Sequence, residues 1–283
     1  MAILELHGVS KCFSRNGRGK SQAAKVEVLR DINLSIRENE FVCIVGRSGS
    51  GKTTLISLIA GLIEADTGAI LLEGKPIAGP GPDRGVIFQN YSLLPWMNVF
   101  DNVYLAVDAV APNLADQEKR RRTEYYLDLV NLGAALKKVP RELSGGMRQR
   151  VAVARGLAMD PKVLLLDEPF SALDALTRGT LQDELARIWM ETRKTVVMIT
   201  NDIDEAILLA DTIYTLTGGP GATLSPAVSV DTLHPRSRVQ LSGEAGYHMA
   251  RRDTLKTLTG GTVASATSAP IAGRHIYFTE GNG

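Results

Sequence analysis

The stretch Gly46-Arg47-Ser48-Gly49-Ser50-Gly51-Lys52-Thr53 has the spacing G-x-x-x-x-G-K-T, a set of residue types suited to holding a polyphosphate. The glycines let the backbone curl so that its N–H groups point inward at an anion. Lys52 can reach the outer phosphates, and the Thr53 hydroxyl can serve a divalent cation beside them. An apolar run, Phe41-Val42-Cys43-Ile44-Val45, precedes the loop, and a helical pattern from Thr54 to Ala60 follows it. Strand, glycine-rich loop and helix is the context such a loop needs, and the helix start adds partial positive charge.

A second group is Val163-Leu164-Leu165-Leu166-Asp167-Glu168-Pro169. Four apolar residues ending in an acid describe a buried strand that delivers a carboxylate. Asp167 would support a nucleotide's Mg²⁺, and Glu168 could accept a proton from an attacking water. A third is Leu143-Ser144-Gly145-Gly146-Met147-Arg148-Gln149-Arg150. There a serine and two glycines open a helix, which is either a second anion-seeking helix start or an ordinary N-cap. Two such starts in one chain point to two copies facing each other.

These groups need a scaffold. Residues 3–13 and 26–37 alternate apolar and polar side chains and read as half-exposed antiparallel strands, with a polar loop at 14–21 between them. Apolar runs at Gly85–Phe88, Val163–Leu166, Thr195–Thr200 and Thr212–Leu216 read as buried parallel strands. Helical patterns between them imply an α/β sheet. From Val99 to about Leu136 helical periodicity dominates, as in a helical insertion, and Lys119-Arg120-Arg121-Arg122 reads there as a solvated face. After Leu216 the pattern decays. The breaker cluster Gly218-Gly219-Pro220-Gly221 opens a tail rich in small and polar residues, expected to have little independent core.

The 283 residues hold 32 Lys and Arg against 31 Asp and Glu, a net charge of +1. That balance is no footprint for nucleic acid, so no nucleic-acid partner is expected. The cysteines, Cys12 and Cys43, lie outside any metal or disulfide spacing, and Cys43 reads as a small buried hydrophobe. No signal peptide and no apolar stretch of membrane-spanning length is read, so membrane association is expected through a partner.

With the Leu143–Arg150 stretch lying between the phosphate loop and the Asp167-Glu168 strand, residues 3–217 resemble the ATP-binding subunits of ABC transporters. The resemblance implies a P-loop NTPase of α/β class. It has a mostly parallel core sheet, an N-terminal antiparallel β subdomain and a helical insertion. The ATP-binding domain would be 1–217, with the helical subdomain at about 96–158 and the tail at 218–283. The cofactors implied are ATP and Mg²⁺. Gly46 to Thr53 and Thr54 would hold the phosphates. Thr53, Gln89 and Asp167 would hold the metal. Gln89, after Val86-Ile87-Phe88, is similar to the family's glutamine that senses Mg²⁺ and the membrane partner. Ser171-Ala172-Leu173-Asp174 resembles the loop that crosses the dimer interface, and Phe13 stands where the family places an aromatic on adenine. Each ATP would lie between the phosphate loop of one subunit and Ser144, Gly145 and Gly146 of a second, head to tail. The other implied partners are transmembrane permease subunits and, indirectly, an extracytoplasmic solute-binding protein. The location would be the cytoplasmic face of the bacterial inner membrane.

One departure stands out. Where the family has a histidine that contacts the γ-phosphate and helps hold the water, this chain has Asn201. Asparagine can still donate through its amide but cannot carry a positive charge. Either hydrolysis is slowed, or this subgroup works with asparagine. The stretches Gly79–Gln89 and Leu93-Leu94-Pro95-Trp96 narrow the resemblance to importers of nitrate, taurine, alkanesulfonates, cyanate or bicarbonate. Ile199–Asp211 and Gly218–Leu224 resemble nitrate importers most. Fewer than a hundred residues separate Lys52 from Ser144, without sustained heptads, which argues against a chromosome-maintenance ATPase with a long coiled coil. A single phosphate loop argues against the tandem soluble ATPases. A catalytically weak binding subunit stays open because of Asn201, although Glu168 and a complete signature oppose it.

Overall fold

The computed structural model describes residues 2–15 and 24–260. Most of the polar loop expected at 14–21, and the end of the expected tail, lie outside the described residues. The chain opens with β1 (Ala2–Arg15) and β2 (Ala24–Arg37), the alternating pair. Then come β3 (Phe41–Gly46), α1 (Lys52–Ile59), β4 (Thr67–Leu72), β5 (Lys75–Pro76) and β6 (Arg84–Ile87). Three helices follow: α2 (Val99–Val110), α3 (Asp116–Leu129) and α4 (Gly145–Ala158). The chain continues with β7 (Val163–Asp167), α5 (Ala175–Thr192), β8 (Thr195–Thr200), α6 (Ile203–Leu209) and β9 (Thr212–Leu216). It ends in β10 (Val228–Ser229), α7 (Arg238–Leu241) and α8 (Ala245–Leu258).

Two sheets result. The first is antiparallel, in the order β2-β1-β4-β5; the second runs β10-β9-β3-β8-β7-β6. In the second, β9, β3, β8, β7 and β6 are parallel, and only β10 runs antiparallel to its neighbour β9. The alternating segments form the half-exposed sheet. The continuously apolar ones form the strands covered on both faces, as burial requires. Strand β3 shows this directly. All six residues are buried, and successive side chains enter different cores. Phe41, Cys43 and Val45 join the core built with α2, α4 and α5. Val42 and Ile44 join the one built with α1 and the antiparallel sheet. Cys43 is buried, as its setting implied.

The helical insertion packs α2, α3 and α4 together. Lys119 departs from the expected solvated face. It turns inward, and its ammonium donates to Asp108 at 2.6 Å and to the Pro112 carbonyl at 3.1 Å. Its alkyl stem covers apolar surface while the head finds partners.

The segment read as a tail is tied down as far as residue 260. It adds β10 to the parallel sheet and places Val228, Val230, Leu241 and Ala250 in the main core. Arg236 explains much of this. It is buried and donates to the carbonyls of Ile207 and Ala210, at 2.8 and 2.6 Å, and to those of Val230 and Thr232. The first two carbonyls end α6, where a cation satisfies orphan acceptors and complements the helix dipole. Burial pushes its pKa down to about 10. A sequence pattern cannot show this, because the two acceptors on α6 lie far from Arg236 in the chain.

Candidate nucleotide site

The loop after β3 turns through two left-handed glycines, Gly49 (φ 77°) and Gly51 (φ 99°), before α1 begins. At Gly46 a Cβ would come within 2.7 Å of the Ser50 hydroxyl. Glycine there lets the loop close tightly on itself. Ser50 is buried and its hydroxyl has no partner within the protein. Arg47, Ser48 and Gly49 are exposed on the rim, and Thr54 is half-buried in the first turn of α1.

Lys52 is only 4% exposed. Its ammonium donates to the carbonyls of Gly46 and Arg47, at 2.9 and 3.1 Å, and lies 3.1 Å from Glu168 Oε1. A buried cation is tolerable only when paired in this way. Thr53 Oγ1 donates to Asp167 Oδ1 at 3.3 Å. Asp167 is buried at the end of β7, and burial raises its carboxyl pKa. Among the described residues no group of three or more His, Cys, Asp or Glu is placed to hold a metal by itself. A hydroxyl beside one carboxylate is the donor set of an ion that takes its remaining oxygens from phosphate and water.

Glu168 follows β7 with φ 44°, a left-handed backbone that a non-glycine residue adopts only under constraint. Its amide donates to the Ile199 carbonyl at 3.1 Å, and its carbonyl accepts from Ser171 Oγ at 2.9 Å. The same Ser171 hydroxyl accepts from Gln89 Nε2 at 3.1 Å. Gln89, Ser171 and Glu168 thus form one hydrogen-bonded relay. After Gln89 the chain turns through left-handed Tyr91 and Ser92, at φ 65° and 47°. The Arg155 guanidinium holds both of their carbonyls, at 2.9 and 2.6 Å. Next, Asn102 is 1% exposed and pins the loop before α2. It donates to the carbonyls of Leu94, Met97 and Asn98 and accepts from the Leu94 amide. That clamp presents Trp96, 73% exposed, to solvent.

Among the described residues no hydrogen bond joins the remaining expected site residues to this cluster. Ser144 caps α4 by accepting from the Met147 amide at 3.2 Å. Gly145 and Gly146 pack so closely on Leu173 and Thr177 that a Cβ would sit 3.2 and 2.8 Å from them. Asp174 caps α5, and the Thr177 amide holds its carboxyl below the usual range. The signature and the segment at Ser171–Asp174 therefore share one surface. Among the described residues no hydrogen bond or ion pair joins Ser144, Gly145 or Gly146 to the phosphate loop. Phe13 is 42% exposed on β1, with the Lys11 ammonium 5.6 Å from its ring centroid. Asn201 is exposed just past β8, the strand between β7 and β3. Sequence reasoning did not find Ser171 as a relay, or Arg155, Asn102 and Glu205. Arg155 acts on Tyr91 and Ser92, and Ser171 on Gln89, far along the chain, whereas Asn102 and Glu205 act on near neighbours that no motif spacing singles out.

The ABC transporter family model matches residues 29–171. The nitrate import ATP-binding protein NrtC of Synechococcus elongatus is 51% identical over 256 residues, 90% of this chain. This chain spans only 38% of that protein's length. NrtD of the same organism, another nitrate import ATP-binding protein, is 48% identical over 230 residues, covering 81% of this chain and 84% of its own length. The bicarbonate transport ATP-binding protein CmpD of the same organism is 47% identical over 231 residues, covering 82% and 83%. Among solved structures, the fold is similar to a dimeric post-hydrolysis state of the ATP-binding cassette MJ0796 bound to ADP and Pi. The TM-score is 0.69 at 29% identity, covering 81% of this chain and 100% of that one.

Proposed function

Because this chain belongs to the ABC transporter family, we propose that it is the ATP-binding and hydrolysing subunit of an import complex whose solute is nitrate. The observation that carries the reading is the meeting of Lys52, Thr53, Asp167 and Glu168 at one point. Lys52 binds the β- and γ-phosphates, which exchange with Glu168 as its counter-charge. The loop amides from Gly46 to Thr53, with Thr54, bind the remaining phosphate oxygens, and the Ser50 hydroxyl has a free valence to offer. Phe13 stacks on adenine. Thr53, Asp167 and Gln89 would hold Mg²⁺, which when bound neutralises charge building on the phosphates.

Glu168, released from Lys52, faces the attacking water as proton acceptor. Its backbone is fixed by Ile199 and Ser171, so the carboxylate needs little rearrangement to act. Gln89 reads the metal and, through the Tyr91–Trp96 segment, a transmembrane permease partner. Asn201 donates its amide toward the γ-phosphate. The absence, among the described residues, of any hydrogen bond or ion pair between the signature and the phosphate loop supports a composite site whose halves meet between copies. Two ATP-binding subunits placed head to tail therefore complete each site with Ser144, Gly145, Gly146 and Asp174 of the opposite copy. Closing and opening of that interface drives the permease, with an extracytoplasmic solute-binding protein delivering the solute. Among the described residues no helix is long and apolar enough to cross a membrane. The proposed place is peripheral, on the cytoplasmic face of the bacterial inner membrane.

The similarity to CmpD keeps bicarbonate as the second reading of the solute. Uptake of nitrate and of bicarbonate in cells lacking this chain separates the two. Loss of nitrate uptake alone supports the proposal, and loss of bicarbonate uptake alone replaces it.

A further inference from the structure

Glu205 is 7% exposed at the start of α6, and none of the roles above uses it. Its Oε2 accepts from Thr200 Oγ1 at 2.7 Å, while its buried Oε1 makes no hydrogen bond of normal geometry, although the Gln182 side chain comes close enough to favour the carboxylate. The same Thr200 hydroxyl accepts from the Asp202 amide at 3.1 Å. One oxygen therefore ties residue 200 to residue 202 across Asn201. Asp202 Oδ1 completes the fold of the segment by accepting from the amides of Asp204 and Glu205, at 2.9 and 3.1 Å. A threonine hydroxyl is free to rotate. Glu205 removes that freedom by accepting the hydroxyl's hydrogen bond, which leaves the lone pairs facing the Asp202 amide.

Retaining a buried carboxyl here is costly. Burial pushes its pKa up to about 7, and an orphan oxygen adds a desolvation penalty. The groups around it offer no full ion pair. Asp202 and Asp204 lie on its own segment, Arg178 and Gln182 on α5, Arg238 on α7 and Tyr247 on α8. Arg178 spends a donor on the Leu173 carbonyl, and Arg238 spends donors on Gly179 and Gln182. Tyr247 and Arg251 are taken by Asp204. Cys43 on β3 lies near enough that, after burial, the Glu205 charge helps raise its pKa. A costly group kept beside a functional strand end marks a site-related role rather than a stabilising one.

We infer that Glu205 is a positioning residue for Asn201, acting through the Thr200 hydroxyl to hold the end of β8 in register with the phosphate site. This rests on the role proposed above for Asn201. Misplacing the asparagine amide by a fraction of an ångström leaves nucleotide binding, which is carried by Lys52 and the loop, and lowers the chemical step.

The test uses the full chain with Mg²⁺-ATP and compares Thr200→Val, Thr200→Ser, Glu205→Leu, Asn201→Ala and Lys52→Ala. Thr200→Val keeps the shape and deletes the hydroxyl. Thr200→Val and Glu205→Leu are each expected to lower kcat tenfold or more with KM for ATP within twofold. Thr200→Ser should restore most of it. The Thr200→Val and Glu205→Leu double variant should be no worse than the worse single one. Additive losses, a loss confined to ATP affinity, an unchanged kcat, or a silent Asn201→Ala would each overturn the positioning role. If Glu205→Leu does not fold, Thr200→Val alone decides by hydrogen exchange. Faster exchange at Asp202 with unchanged exchange over 46–53 supports the inference, and no change at Asp202 overturns it. Full activity in Lys52→Ala would instead sink the phosphate-loop reading beneath it.

Discussion

Lys52 Nζ lies 3.1 Å from Glu168 Oε1, so the cation proposed to bind the phosphates and the carboxylate proposed to accept a proton from water neutralise each other. Lys52→Ala removes the attractor and leaves a carboxylate at the site. It should weaken ATP binding and reduce turnover at least about 100-fold, the order expected for loss of a preorganised charge contact. Titration with a fluorescent ATP analogue and steady-state ATPase assays check this.

Asn201 presents an amide where a charged imidazole would be stronger. Asn201→Ala should lower turnover about tenfold, the worth of one hydrogen bond to a charged group. Asn201→His should raise turnover above that of the natural chain, most clearly below about pH 6.5, where an unperturbed imidazole is cationic. An unchanged rate in Asn201→His would show that asparagine suffices. ATPase rates across pH 6 to 8 are the measurement.

Much of this site was legible in the sequence, and the reason is local. Gly46 to Thr53 lies on one turn whose conformation its own glycines determine, and Asp167 and Glu168 end one apolar strand. The two-sheet fold was legible for the same reason, since the alternating and continuous apolar patterns of β1, β2, β3 and β7 follow from which faces are covered. What stayed hidden depends on distant pairs. Arg236 finds the end of α6, Arg155 finds Tyr91 and Ser92, and Lys119 turns inward to Asp108. The fall in pattern after Leu216 hid the packing of 228–258 because that segment borrows its core from α6 and β9.

Glu205 gives stability a pH dependence with a definite sign. Its pKa is raised from 4.5 to about 7 by burial, so the native state holds the proton more tightly than the unfolded chain. Its contribution is full below pH 4.5 and is lost as pH rises through about 7. The whole change is about 3 kcal/mol by linkage. Glu205→Gln keeps an acceptor for Thr200 without the charge. Relative to the natural chain, this variant should gain thermal stability between pH 5 and pH 8. Paired thermal melts at those pH values decide the point; a constant difference would refute it.

Arg236→Met keeps the apolar stem and strips the guanidinium from four carbonyls. Buried acceptors left unpaired cost about 1–3 kcal/mol each where water cannot reach them. The expected loss is about 3–5 kcal/mol, with faster hydrogen exchange at the end of α6 and in β10. A melting temperature equal to that of the natural chain would contradict the anchoring role.

The composite site is tested most directly by Glu168→Gln, which keeps the shape of the base but cannot take a proton. Light scattering on this full-chain variant should show 30.5 kDa without nucleotide and twice that mass with Mg²⁺-ATP. A particle that stays at 30.5 kDa with ATP stoichiometrically bound would contradict a triphosphate shared between Lys52 of one copy and Ser144 of the other.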